Sequence, residues 1–272
     1  MDIAKLPIAK PVDHGRVDDP QRPILTMSYR LGPGRTPTHR HSRAHLFYCA
    51  EGVFRLVREE ATWLVPPSQA VWIPSEAEHC AYATQPVVLL SLFVDASATQ
   101  GLPDDCRVVH VSPLLRELIF EAVDVGNAYA AAGSAARLMQ VIVDELHGLE
   151  AAPLNLPLAS DKRVRQLCES LIRNPADERG LEAWAPQVGA SARTLARLFV
   201  SETGLTFAEW RRQMRLLEAI DRLGKGQTVT RVALDLGYES PSAFIAMFRR
   251  TLGASPGKYF RNAEPASEGE GP

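Results

Sequence analysis

Two groups of side chains in this chain of 272 residues have types and spacings suited to chemistry. The first is histidine. Four of the seven, His39, His41, His45 and His79, fall within 41 consecutive positions. Residues two apart on a strand face the same side, so His39 and His41 present two imidazoles to one cation, and His45 joins them if the strand keeps its register. Such a constellation suits a borderline divalent ion, zinc, nickel, copper or iron(II), and the spacing does not choose among them. The competing reading is that histidines beside Arg40 and Arg43 are solvated surface residues holding no metal. The second group is arginine. Arg193 and Arg197 lie one helical turn apart, and Arg249 and Arg250 are adjacent. Guanidinium forks match guanine O6 and N7, and they match phosphate.

These groups sit in segments of different texture. From Ile24 to Asp95 short stretches rich in Val, Phe, Tyr and Trp alternate with Gly and Pro turns, at Ile24–Arg30, His45–Ala50, Val53–Arg58, Thr62–Val65, Ala70–Ile73 and Val87–Val94. Closely spaced strands with no helix between them predict an antiparallel barrel or sandwich. After Pro103 the apolar residues take helical spacing, with one stripe at Leu114, Leu115, Leu118, Ile119 and Val123 and another at Leu138, Val141, Ile142 and Leu146. Two helices, at 112–125 and 134–149, form a hairpin. Their stripes exceed what a small barrel flank needs to cover, which predicts pairing between protomers and a homodimer. Residues 151–160 read as a linker, Asp161 as a helix cap, and the Glu-, Gly- and Pro-rich tail 263–272 as disordered.

The arginines belong to an internal repeat. Leu181, Trp184, Ala185 and Val188 stand at i, i+3, i+4 and i+7 before Gly189, and Val229, Val232, Ala233 and Leu236 repeat that spacing before Gly237. The apolar face Leu195, Leu198 and Phe199 returns 49 residues later as Phe244, Met247 and Phe248, and Gly204 and Trp210 return as Gly253 and Tyr259. A short helix, a glycine turn and a second amphipathic helix form a helix-turn-helix, here present twice. At 100° per residue Arg193, Ala196, Arg197 and Val200 face away from the apolar side, where a recognition helix meets bases, with Thr194 beside them. The second unit offers Ser242, Ile245, Ala246 and Arg249, with Arg250 next to it. That set suits phosphate contact and close approach more than base readout. A stripe of Phe207, Trp210, Met214, Leu217 and Ile220 predicts one continuous helix between the units, holding the recognition helices at the spacing of successive major grooves, about 34 Å.

Charge agrees with this division. Residues 1–155 carry 13 Lys and Arg against 18 Asp and Glu, whereas residues 161–262 carry 17 against 11. The basic segment suits a polyanion. With 46% hydrophobic and 23% charged residues the chain is an ordinary globular mixture, which excludes wholesale disorder. No apolar run approaches about 18 residues and Met1–Lys10 lacks a signal-peptide pattern, so the reading is a cytoplasmic protein without a membrane span. Cys49, Cys80, Cys106 and Cys168 form no CxxC pair and read as reduced, buried thiols.

The segment 161–262 resembles the DNA-binding domain of the AraC/XylS family of transcription regulators. The resemblance is carried by RTLARLF at 193–199, ETGL at 202–205, WRR at 210–212, RLL at 215–217, VALDLGY at 232–238, SPSAF at 240–244, FR at 248–249 and LGASP at 252–256. It implies a double helix-turn-helix repressor or activator of double-stranded DNA, with RNA polymerase as a further partner. Residues 20–95 resemble the cupin family. His39 and His41, three residues, His45, six residues and Gly52 follow its first metal motif, with His45 in the place of the family's glutamate, and Pro74 to His79 follows the second, with Glu76 where glycine is usual. The resemblance implies His79 as a remaining ligand. It equally implies a small-molecule effector in the barrel, lined by Phe47, Trp63, Trp72 and Phe93.

The expected fold class is therefore α+β multidomain: a cupin-like antiparallel β-barrel (1–100), a helical hairpin (101–150), a linker (151–160) and an all-α double helix-turn-helix domain (161–262). The expected function is a sequence-specific transcription regulator whose cupin-like domain senses a small molecule or divalent metal. The alternative is a metal-dependent cupin enzyme, an oxygenase or isomerase, tethered to DNA. The regulator reading prevails because the double helix-turn-helix is nearly complete, while the histidine site has lost its carboxylate and no other acid–base group is evident.

Overall fold

The computed structural model describes residues 22–59, 61–67, 69–152 and 154–261, so the tail 263–272 lies outside the described residues. The chain divides into two compact units, one built mainly from residues before Leu154 and the other from Leu154 onward.

The first unit carries strands β1 (Ile24–Leu31), β2 (Gly34–Arg35), β3 (Ala44–Glu51), β4 (Phe54–Val57), β5 (Ala61–Val65), β6 (Gln69–Ile73), β7 (Cys80–Ala83), β8 (Val87–Val94) and β9 (Arg107–His110). Helices α1 (Pro113–Val125) and α2 (Ser134–His147) follow. One antiparallel sheet runs β1-β8-β3-β6-β9, and β5, β4, β7 and β2 lie side by side in the other. The short β2, β7 and β9 were not legible as strands: Gly34–Arg35 has only two residues, and neither Cys80–Ala83, buried throughout, nor Arg107–His110 alternates apolar with polar as the equally short β4 does.

Register decides which side chains share a face. In the first sheet Leu46 lies opposite both Trp72 and Leu92, while its neighbour His45 lies opposite Ile73 and Phe93, and Phe47 opposite Val71 and Ser91. The Leu46 face buries Tyr48, Trp72, Leu90 and Leu92 against Leu115 and Ile119 of α1 and Met139, Ile142 and Leu146 of α2. Trp72 therefore does not line an effector site with Phe47 and Phe93. It packs on the helix side of the sheet, where its indole N–H donates to Pro103 O at 2.7 Å, because strand parity puts it one residue out of phase with Val71. The same packing accounts for the helical stripes. The sheet covers them and leaves Leu114 and Val141, 54% and 42% exposed, as the large apolar residues of α1 and α2 open to solvent. The motive for pairing between protomers shrinks to those two side chains.

Gly52, the glycine of the first cupin motif, has φ +81°, and a Cβ there would stand 2.7 Å from Val87 Cγ1 and 2.9 Å from Pro86 O. Only glycine satisfies both the backbone and the approach.

The second unit begins with a short strand, β10 (Asn155–Pro157), inside the segment read as a linker. Helices α3 (Lys162–Arg173), α4 (Leu181–Val188), α5 (Ala192–Thr203), α6 (Phe207–Gly224), α7 (Val229–Asp235), α8 (Pro241–Leu252) and α9 (Pro256–Arg261) follow. Asp161 caps α3, its side chain accepting from Arg163 N. The repeat is obeyed in detail. Ser191 and Ser240 cap α5 and α8, Gly204 and Gly253 end them in the left-handed region at φ 70° and 76°, and Phe199 meets Trp210 edge-on as Phe248 meets Tyr259. Pro157 O accepts the Trp210 indole N–H at 3.0 Å, tying β10 to α6.

Candidate functional site

The basic unit presents two outward helix faces. On α5, Leu195 and Phe199 are fully buried while Arg193, Ala196, Arg197 and Val200 are exposed. Thr194 is half-buried, and its hydroxyl lies 2.9 Å from that of the cap Ser191. On α8, Phe244 and Phe248 are fully buried while Ser242, Ile245, Ala246, Arg249 and Arg250 are exposed. The guanidinium groups of the four arginines of these faces make no hydrogen bond or ion pair with any described residue, so their donors are free for an outside acceptor. Most other arginines of the unit are already held: Arg163 by Asp161 at 2.8 Å, Arg179 by Asp177 at 2.5 Å and Arg222 by Glu218 at 2.8 Å. Sequence alone shows where arginines are; the structure separates those that build the domain from those that face outward.

The histidines converge in the first unit. His39 and His79 exchange both backbone hydrogen bonds of an antiparallel bridge, each N–H donating at 2.9 Å, which sets their rings 4.5 Å apart. His41, two residues on, puts its ring 5.1 Å from that of His79. One ring nitrogen from each of His39, His41 and His79 falls within 4.8 Å of the others. Each Nδ1 faces a local carbonyl: His39 to Pro37 O at 2.9 Å, His41 to Arg43 O at 2.7 Å and His79 to Ala77 O at 2.7 Å. A carbonyl only accepts, so these bonds put the neutral ring's proton on Nδ1 and the lone pair on Nε2, the tautomer in which Nε2 can act as a metal ligand. His41 Nε2 is buried without a hydrogen-bond partner. Burial, the main cause, and the neighbouring His39 hold the His41 pKa below its ordinary value, against the opposing bond to Arg43 O. His45 is separate from this trio. Its ring is stacked 4.4 Å from Phe93 and lies 4.6 Å from Phe47, and it meets His41 edge-on at 5.1 Å. Trp63, the remaining residue assigned to an effector site, is buried on β5.

Residues 184–262 match the helix-turn-helix domain family and residues 26–93 the cupin domain family. The HTH-type transcriptional regulator NimR of Escherichia coli K12 is 40% identical over 224 residues, which cover 82% of each chain. The chain belongs to the AraC/XylS family of transcription regulators. Within the same family the arabinose operon regulatory protein of Escherichia coli K12 is 26% identical over 60% of this chain and 55% of its own. The solved DNA-binding domain of AdpA, in complex with a target DNA, is 32% identical over 40% of this chain and 98% of its own, with a TM-score of 0.35. As an AraC-type regulator the protein binds DNA, and the enzyme alternative is not favoured: its relatives are transcription regulators. None of its described helices is long and apolar enough to cross a membrane.

Sequence reasoning missed two features of this regulator. One is the set of Nδ1–carbonyl bonds, which join residues only two apart but depend on ring orientation. The other is the positive φ of Glu76, 60°, held by no other described non-glycine residue: the sequence marked Glu76 as standing in a glycine's place but not the backbone conformation it keeps. It adopts the conformation that the family's usual glycine supplies without strain.

Proposed function

We propose that this regulator reads its DNA site chiefly with Arg193 and Arg197 of α5, with Thr194 and Ala196 at the same surface, while Ser242, Ala246, Arg249 and Arg250 of α8 fix position on the backbone. Its cupin domain senses a divalent transition metal, zinc, nickel, copper or iron(II), through His39, His41 and His79. The observation that supports the sensing reading is the trio of imidazoles whose Nδ1 atoms are all engaged by carbonyls. A tetrahedral ion with about 2.0–2.1 Å bonds needs nitrogens about 3.4 Å apart, so a spread of 4.8 Å closes by modest side-chain rotation. A bound ion supplies a cross-link between the His39–His79 bridge and the His41 loop. His45 supports the site from behind, stacked on Phe93 and tilted against Phe47. The same reading has the protein act in the cytoplasm on double-stranded DNA, with RNA polymerase as a further contact and self-association through the exposed Leu114 and Val141.

The experiment is elemental analysis of untagged protein together with gel shift on promoter DNA adjacent to its own gene, with and without chelator. The expected result is about one metal per chain, lost in a His39→Ala/His41→Ala double variant, and a chelator-dependent shift. Metal-free protein whose DNA binding ignores chelator yet responds to an organic effector would overturn the metal reading. It would leave the aromatic interior around Phe47 and Phe93 as the sensor.

A further inference from the structure

The cations of α6 differ in what holds them. Arg211 donates to Arg179 O at 3.2 Å and lies 5.0 Å over the Phe207 ring. Arg215 donates from Nε to Pro175 O at 2.8 Å and stands 6.0 Å from the Tyr238 ring. Arg222 bonds Glu218 at 2.8 Å and Asp235 at 3.3 Å, and just past the helix Lys225 bonds Asp221 at 2.7 Å. Arg212 is exposed and makes no hydrogen bond or ion pair with any described residue. It shares that state with Arg193, Arg197, Arg249 and Arg250, the arginines of the two outward faces, but it is on neither.

Its place on α6 is fixed from both flanks. A groove of about 420 Å³ lies between Ala196 and Val200 on the outward face of α5 and Phe207 and Arg211 of α6, so the first turns of α6 border the face that meets bases. On the other flank Arg215 reaches the ring of Tyr238, in the turn that leads into α8, and the charge of Arg212 acts on that same phenol. Arg212 thus stands on the stretch of α6 that runs from one helix-turn-helix to the other.

We infer that Arg212 is a DNA-backbone contact, neutralising a phosphate on the stretch of duplex between the grooves met by α5 and α8. The inference rests on the DNA-binding reading and adds a third point of attachment to it. A guanidinium on the joining helix reaches phosphate oxygens rather than base edges, so it adds affinity and salt dependence but no sequence preference. Counterion release depends on the charge and not on the fork, so lysine at this position keeps the salt dependence even where the bidentate geometry is lost.

The test uses the full chain, with fluorescence anisotropy across a salt series on two duplexes: promoter DNA adjacent to its own gene and a scrambled sequence of equal length. Arg212→Ala should weaken both about equally, by roughly three- to tenfold at low salt, and flatten the slope of log affinity against log salt by about 0.9. Arg212→Lys should restore the slope, and the melting temperatures of both variants should match the parent, since no internal bond is removed. Arg222→Ala, whose guanidinium is already paired, should leave the slope unchanged. An unchanged slope in Arg212→Ala, or a loss confined to the promoter duplex, would overturn the inference. A parent protein with no salt-dependent affinity for either duplex would overturn the DNA-binding reading beneath it.

Discussion

Two tryptophans of the basic unit are both buried and differ in one respect that can be measured. Trp210 is fully buried and its indole N–H donates to Pro157 O at 3.0 Å. Trp184 is 3% exposed, its indole N–H meets no acceptor among the described residues, and the Arg179 guanidinium covers its ring at 3.8 Å. Trp210→Phe loses a net hydrogen bond, about 0.5–1.5 kcal/mol, and leaves a void of about 1 kcal/mol. Pro157 is half-buried, so water can reach its carbonyl, which argues against the larger cost of an orphaned acceptor. The expected loss is about 2 kcal/mol, or roughly 10 °C in melting temperature for a unit of this size. Trp184→Phe creates a similar void and weakens a cation–π contact of about 0.5–1 kcal/mol, but removes a buried donor whose desolvation costs about 1–3 kcal/mol. Those terms nearly cancel, so its stability should stay within about 0.5 kcal/mol of the parent. The assay is urea unfolding of the full chain, followed by circular dichroism at a wavelength dominated by helix. Equal losses in the two variants, or a larger loss in Trp184→Phe, would refute the view that the bond from Trp210 fastens β10 to α6.

Arg193→Ala and Arg197→Ala should each lower discrimination between operator and random DNA by about 1–3 kcal/mol, the worth of a bidentate guanine contact, with no change in thermal stability; retention of full discrimination in both variants places readout elsewhere. Gly52→Ala should cost roughly 2–4 kcal/mol in denaturant unfolding, since it adds left-handed strain of about 1–2 kcal/mol to contacts of 2.7 Å with a Val87 methyl and 2.9 Å with the Pro86 carbonyl, the second of which only a backbone shift relieves. Asp161 should titrate near 2 by carboxyl NMR, because its hydrogen bond to Arg163 holds it below the ordinary 3.8. A depressed carboxyl stabilises the fold above its unfolded value and loses that contribution as pH falls from about 4 through about 2. Asp161→Asn should remove this part of the acid transition.

The second unit was legible nearly residue by residue, for a physical reason. A surface helix writes its burial into a 3.6-residue period, and here two copies wrote it twice, so the Leu195 face and the Phe244 face each confirmed the other. The β-unit was less legible where phase mattered. Phe47, Trp72 and Phe93 are all large, aromatic and buried, and composition cannot say on which side of a two-faced sheet each one lies. Only the pairing of Leu46 with Trp72 and of His45 with Phe93 settles it. Partnering was the other hidden quantity: Arg212 and Arg222 read alike in sequence, yet one faces solvent and the other is clamped by Glu218 and Asp235.

The two departures from the cupin pattern have separate physical consequences. His45 stands where the family has a carboxylate, and its imidazole, stacked on Phe93 and tilted against Phe47, belongs to the aromatic interior, which leaves His39, His41 and His79 as the histidines whose ring nitrogens converge. Glu76 replaces a glycine and holds φ 60° at a strain of about 1–2 kcal/mol. Its N–H donates to His41 O at 2.9 Å and its carboxylate pairs with Arg40 at 3.5 Å, so the bonds that hold the strained turn come from the irregular segment between β2 and β3 that carries His39 and His41. The turn in turn leads into Ala77, whose carbonyl orients His79. Strain, bridge and ring orientation are thus joined in one local network of hydrogen bonds around the imidazoles.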